Sequence, residues 1–325
     1  MNEIKRLVRI FMILAVCVLV VACPEPRNDA GGLGDEFEVA LGFPRGLDAA
    51  SRSTINDDGN VAKVYAKVYN SAREHLPSTD TTGVTALAFN GTKWTATVHL
   101  AAPASGTITF LVWAENTSGE HLYSGNDDLV VGTNGNAIIV PTAAGYSLRD
   151  MGPAGGYIFY DKGSYSSGWR FLEAAPSGWS NGSSDPYYLF GYYRTTSEGI
   201  NQIVGTGTAI GTGKANTTAL VNAMSATAYA APLPSVSTTA DYAARICDIH
   251  ETNGYGDWFL PSKDELDLMY DNLKTQSLGG FSDAYYYSSS ENTSDLAWAQ
   301  LFSSGYQNDF GYRNVEQRVR PVRAF

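Results

Sequence analysis

Asp257-Trp258-Phe259-Leu260-Pro261-Ser262-Lys263-Asp264-Glu265-Leu266 sets the character of the C-terminal half of the chain. Ser262 followed three residues later by Glu265 is a capping box, in which each residue's side chain takes up a backbone N–H of the other. The spacing predicts a helix over 262–273 with Leu266, Met269, Tyr270 and Leu273 on one face. Asp257, Asp264, Glu265 and Asp267 crowd its start, where the helix dipole favours carboxylates, so capping accounts for them without a catalytic role. Upstream, Ala240, Ala243, Ala244, Ile246 and Cys247 fall at helical spacing and predict a second helix over 239–253, stopped by Gly254. Strands are expected at Tyr157-Ile158-Phe159-Tyr160, at Trp169–Ala175 and at the terminal Val319–Phe325. This half therefore reads as α+β and rich in loops.

The first half has a different period. Phe37, Val39, Leu41 and Phe43 alternate with Glu36 and Glu38, and the same alternation returns in Val64/Ala66/Val68, Trp94/Ala96/Val98/Leu100 and Ile108/Phe110/Val112/Ala114. Period two marks half-buried strands. Asn90-Gly91 is a hairpin signal between Thr85–Phe89 and the Trp94 strand. Seven or eight short strands without a convincing helix predict an antiparallel, immunoglobulin-like sandwich over 35–145, lacking a cysteine pair. The stretch 141–150 reads as the join.

At the N-terminus Lys5, Arg6 and Arg9 precede an apolar run, Ile10 to Ala22, too short to span a bilayer. It ends Leu19-Val20-Val21-Ala22-Cys23, which resembles a bacterial lipoprotein box. Residues 1–22 are therefore expected to leave as a signal peptide and Cys23 to be acylated, with 23–34 as a Pro- and Gly-containing tether. Removal of that segment leaves 19 basic against 32 acidic residues, or −13, compared with −11 for the 325-residue chain. A body so acidic is unsuited to nucleic acid, whose phosphates need a basic face. Cys17 leaves with the signal and Cys23 takes lipid, so Cys247 stands alone and no disulfide framework is expected. With 44% apolar and 17% charged residues, the rest of the chain is fit to fold.

Six segments occur in order across the second half. They are Gly155–Asp161, Leu172-Glu173-Ala174-Ala175-Pro176, Gly207–Gly213, Asp257–Leu266, Tyr287-Ser288-Ser289-Ser290-Glu291 and Val319-Arg320-Pro321-Val322-Arg323. Together they resemble domain of unknown function 1566, the family of the C-terminal domain of the Legionella collagen-like adhesin. The resemblance implies a C-type-lectin-like fold over 151–325, in which the first and last strands pair and a long loop region presents the ligand surface. It also implies surface recognition of glycans. Related folds serve as the display domains of diversity-generating retroelements, whose varied residues are rich in Tyr, Asn, Asp and Ser.

Residues 285–314 have that composition. Aromatic side chains offer stiff contact area and amides adapt their hydrogen bonds, so Tyr285, Tyr286, Asn292, Asp295, Tyr306, Asn308, Asp309, Phe310, Tyr312, Arg313 and Asn314 are the candidate ligand-binding residues. Tyr287 and Trp298 read instead as core. Catalytic signatures fail on spacing: Gly205-Thr206-Gly207 lacks a third Gly, Gly213-Lys214 lacks the hydroxyl residue of a phosphate loop, and His250-Glu251 lacks a second His. The expectation is a non-enzymatic, lipid-anchored protein of the bacterial envelope, outer-membrane and surface-exposed, with no cofactor or metal. Its partners would be the bilayer, through Cys23, and a host or neighbouring-cell glycan or protein. An envelope structural lipoprotein and a retroelement display protein are the alternatives.

Overall fold

The computed structural model describes residues 16–21, 36–42, 61–78, 83–89, 94–101, 104–130, 138–143, 146–182 and 184–325. Cys23, the tether and the Asn90-Gly91 turn lie outside the described residues. Strand accounts for 39% of the chain and helix for 13%, which limits the class to all-β or α+β. Two compact units divide at Tyr146/Ser147.

The first unit contains β1 (Val16–Val21), β2 (Glu36–Gly42), β3 (Lys63–Asn70), β4 (His75–Leu76), β5 (Thr85–Phe89), β6 (Trp94–His99), β7 (Thr107–Glu115), β8 (His121–Val130) and β9 (Ile138–Ala143). All pairings are antiparallel, in the order β4-β3-β5-β6-β2-β1-β9-β8-β7, and β3 also pairs with β7 along its whole length. The ladder thus closes on itself, with β4 attached to β3. The alternating set Val64/Ala66/Val68 and Ile108/Phe110/Val112/Ala114 forms the core with Leu87, Val98 and Leu100. Lys67, Tyr69, Leu111 and Trp113, on the opposite faces of β3 and β7, are buried too, so these two strands are covered on both sides rather than half-buried. β1 is part of the apolar run that the sequence assigns to the export signal, and it sits between β2 and β9.

The second unit contains three sheets. β10 (Tyr157–Ser166), β11 (Trp169–Ala174) and β19 (Val322–Ala324) form one, in which the C-terminal strand pairs with β11 through Leu172↔Ala324, Glu173↔Arg323 and Ala174↔Val322. β12 (Tyr187–Tyr188), β18 (Gln317–Arg318), β15 (Tyr285–Glu291), β16 (Leu296–Leu301) and β17 (Tyr306–Tyr312) form the second, in that order, and β13 (Ala228–Tyr229) pairs with β14 (Thr238–Thr239). The helices are α1 (Gly213–Met224), α2 (Ala243–Asp248) and α3 (Lys263–Asn272).

The capping box at α3 is present: Ser262 Oγ accepts from Glu265 N, and Glu265 Oε2 accepts from Ser262 N at 2.7 Å. The second expected helix is shorter than its spacing suggested. Thr238 and Thr239 pair in a strand, and past Asp248 a turn at Asn253, with φ of 52°, bridges Thr252 to Tyr255. α1 replaces what reads in sequence as loop; it buries Gly213, Asn216, Thr217, Leu220 and Met224, a helical spacing disguised by polar residues.

Four of the six motif segments meet around one buried carboxylate. Glu173 Oε1 accepts from Gly156 N at 2.8 Å and from Ala154 N at 3.1 Å, and Arg323 stands 3.4 Å from its Oε2. Arg323 also makes a two-pronged bond to Asp257, at 2.9 and 3.1 Å. A Cβ at Gly156 would lie 1.8 Å from Ala174 O, so only glycine lets this crossing close.

Candidate functional site

The stretch that carries the candidate residues is the meander β15-β16-β17, whose last strand is the free edge of its sheet. β15 is the rigid member. Its Ser288, Ser289 and Ser290 are fully buried and bonded inward: Ser289 N donates to Pro261 O at 2.7 Å, Ser290 Oγ to Gly207 O at 2.8 Å, and Lys263 N to Ser290 Oγ at 3.0 Å. Small hydroxyl residues let β15 lie close to the loop before α1 and to the start of α3, while satisfying backbone groups there. β17 pairs with β16 through Leu301↔Tyr306, Gln300↔Gln307, Ala299↔Asn308, Ala297↔Gly311 and Leu296↔Tyr312. Between Ala299↔Asn308 and Ala297↔Gly311, Asp309 and Phe310 together oppose Trp298, a bulge that re-aims the edge.

The bulge sets Tyr306, opposite Leu301, and Tyr312, opposite Leu296, on opposite faces of the sheet. Phe310 is 64% exposed, Tyr312 59% and Tyr306 56%, large aromatic groups left in solvent on an edge strand. Trp298 lies half-buried beside them, with Lys263 Nζ 4.9 Å from its ring centre, and Gln307 Nε2 donates to Lys263 O at 3.2 Å. Asn308 Oδ1 accepts from Phe310 N at 2.9 Å, and Asn292 Nδ2 donates to Asp309 O at 2.9 Å. Asp295 Oδ1 accepts from Asn201 Nδ2, Asn201 Oδ1 from Arg194 Nε at 2.7 Å, and Asn314 Oδ1 from the Tyr192 hydroxyl at 3.2 Å. The short polar members thus brace the turns, while the aromatic members project.

Three of the eleven candidates are displaced from this surface. Tyr286 is fully buried, its hydroxyl donating to Asp185 Oδ2 at 2.7 Å; burial, reinforced by that carboxylate, pushes the phenol far above its usual range. Arg313 is fully buried as well. Its Nη2 donates to Glu291 Oε1 at 2.9 Å and to Thr293 O, and its guanidinium lies over the Phe190 ring at 5.0 Å. Desolvation lowers its pKa, and Glu291 opposes that shift. Tyr285 is half-buried against the core. Tyr286 and Arg313 are corrected from contact residues to interior ones: composition marks a segment as interface-like but does not say which side of a strand faces out.

Sequence reasoning favoured the core for Trp298, and gave no role to Lys263, Arg194, Asn201 or the exposed Ile200 and Ile203. Arg194 Nη1 and Nη2 donate to Ser235 O and Ala231 O at 2.8 and 2.6 Å, so one arginine fastens the 231–236 loop beside the 194–203 loop. Among the described residues no three His, Cys, Asp or Glu side chains gather as a metal site. Chemically, the arrangement offers stacking and hydrogen bonding on a braced frame. No protein-family profile matches the sequence, and no curated protein matches it.

Proposed function

We propose that this chain is a lipid-anchored recognition protein of the bacterial envelope, displayed at the outer membrane surface, which binds a glycan or protein through the β16–β17 edge. The observation that carries the reading is the set Tyr306, Phe310 and Tyr312, each more than half exposed on the edge strand β17, which is carried by β16 on a strand, β15, that buried serines lock in place. Exposed aromatic groups on a preorganised frame provide contact area at small entropic cost. The motif resemblance and the loops around α1 support a C-type-lectin-like architecture for the second unit, although the last strand, β19, pairs with β11 and not, as the resemblance implies, with the first strand, β10. Antiparallel pairing and the period-two core support an all-β first unit acting as a spacer, although its single closed ladder differs from the two separate sheets of an immunoglobulin-like sandwich. The sequence Leu19–Cys23 supports the anchor.

The test uses the exported chain with Cys23→Ser, purified without lipid and passed over glycan arrays and immobilised matrix proteins. Saturable binding that falls at least about tenfold in Phe310→Ala and Tyr312→Ala is the expected result, in line with truncation of central aromatic contacts. Binding unchanged in both variants, or none to any probe, rejects this surface. Loss of palmitate labelling and of membrane fractionation in Cys23→Ser tests the anchor separately.

A further inference from the structure

A second concavity lies on another side of the same unit, and none of its lining residues belongs to 285–314. It is a cleft of about 620 Å³ between the solvent face of α1 and the β10–β11 hairpin, within the size range of small-molecule sites. Its depth follows from α1. Because Asn216, Thr217, Leu220 and Met224 turn inward, Ala215 and Ala219 face the cleft and leave room where larger residues would fill it. Leu172, Phe259 and Trp169 form the apolar walls. Trp169 is held in place: Lys162 Nζ sits 3.8 Å from its ring centre, and a Cβ at Gly211 would approach its Cζ2 to 3.3 Å.

The polar groups divide into committed and free. Glu265 reaches the cleft, but its Oε1 accepts from Gly211 N at 2.8 Å and its Oε2 from Ser262 N at 2.7 Å, so this buried carboxylate is occupied by backbone donors. Among the described residues Lys214, exposed at the rim, makes no side-chain ion pair or hydrogen bond, and neither do the side chains of Thr218 and Asn222 one and two turns along the same face of α1. An unpaired ammonium is notable on a chain of net charge −11, where acidic partners are abundant. An apolar basin with a free cation, a hydroxyl and an amide on one rim is complementary to an anion carrying an apolar body.

We propose that this cleft binds a small amphiphilic carboxylate, aromatic or short-chain acyl, with the apolar part against Trp169 and Phe259 and the carboxylate on Lys214. This site is independent of the β17 surface. The test is calorimetric titration of the Cys23→Ser chain with 3-phenylpropionate and with its neutral amide. Expected are saturable binding of the acid, at least about tenfold weaker binding of the amide, and a Lys214→Gln variant that loses the preference for acid while keeping the amide's affinity. Ala219→Leu, or the exposed Thr218→Leu if the first disturbs the fold, fills the basin and abolishes both. Phe310→Ala leaves both unchanged, which separates this site from the recognition surface. Equal affinity for acid and amide, binding that survives both filling variants, or no saturation by the acid overturns the proposal.

Discussion

Arg320 grips Asp185 with two parallel contacts, Nε to Oδ1 at 2.6 Å and Nη2 to Oδ2 at 2.8 Å, and neither side chain is more than 1% exposed. Asp185 also accepts from Trp179 Nε1 at 2.8 Å and from the Tyr286 hydroxyl at 2.7 Å, while Arg320 Nη1 donates to Ala175 O and Gly279 O. One pair therefore fixes four segments behind the recognition strands. Removing one partner of a buried pair leaves the other charge without compensation, at about 3–5 kcal/mol. Asp185→Ala is expected to lose that much in urea unfolding followed by tryptophan fluorescence. A loss below about 1 kcal/mol, the level of an exposed pair, would show that water takes over the pairing.

What the sequence made legible was set by strong local rules. The capping box at Ser262/Glu265 appears as read, and the alternation in β3 and β7 correctly marks strands and their core-facing set, although their other faces are buried too. α1 was hidden because its buried face uses Gly213, Asn216 and Thr217, whose work is polar: Asn216 Oδ1 accepts from Gly207 N, and Thr217 Oγ1 from Leu260 N. Hydrophobic periodicity is blind to such a face. Arg313 and Tyr286 were misplaced for a related reason, since charge and a hydroxyl suggest solvent until a buried partner such as Glu291 or Asp185 is known.

The eleven candidates should separate by stability as they do by burial. Alanine at Tyr306, Phe310 or Tyr312 removes exposed area and is expected to change unfolding free energy by no more than about 0.5 kcal/mol. Arg313→Ala strands Glu291 and is expected to cost about 3–5 kcal/mol, even though Val204 N and Gly205 N still reach that carboxylate. Denaturant titration of the four variants checks the division. A large loss at Phe310 or Tyr312 would assign those rings to the fold rather than to recognition.

Gly213 opposes two tendencies directly. Alanine inside a helix gains about 1 kcal/mol over glycine. At Gly213, however, a Cβ would come within 2.2 Å of Glu265 Oε2 and 2.9 Å of Ser262 N, where the capping box and the loop before α1 share one carboxylate. Backbone atoms there cannot swing aside, so Gly213→Ala is expected to destabilise by about 2 kcal/mol or more, like other overpacked sites. Thermal unfolding measures it, and a raised Tm would mean that Glu265 is not seated between the two helix starts.

His250 provides a pH signature. Its ring packs edge-on to Trp179 at 4.8 Å, and burial lowers its pKa from 6.5 to about 4. Between those values the unfolded chain holds the proton and the native chain does not. Its contribution to stability is therefore complete above pH 6.5 and lost as pH falls toward 4. Burial raises the pKa of Glu173 and Glu265, which gives their contribution the opposite dependence, so a variant is needed to isolate the histidine. His75, whose pKa burial also lowers to about 4, contributes in the same sense, so His250→Phe is expected to reduce the stability difference across that interval by the His250 share alone. Proton NMR titration of the imidazole reports its pKa directly, and a midpoint near 6.5 would place the ring in water.

The N-terminal strand sets processing against pairing. β1 bonds to β2 from Cys17↔Gly42 to Val21↔Glu38, and to β9 from Val16↔Thr142 to Val20↔Ile138. Cleavage before Cys23 would remove this strand and open the closed ladder at that one position, exposing the facing edges of β2 and β9 while leaving β3 and β7 paired on both sides. Unpaired edge amides exchange with solvent by local fluctuation, whereas central ones need larger opening. In the mature chain, amides of 36–42 and 138–143 that pointed at β1 are therefore expected to exchange at least about tenfold faster than those of 63–70, a difference hydrogen-exchange mass spectrometry resolves. A precursor retaining residues 1–22 should protect them. Equal protection in the mature chain would mean that β2 and β9 close on each other once the segment has gone, so that β1 is a strand of the precursor alone.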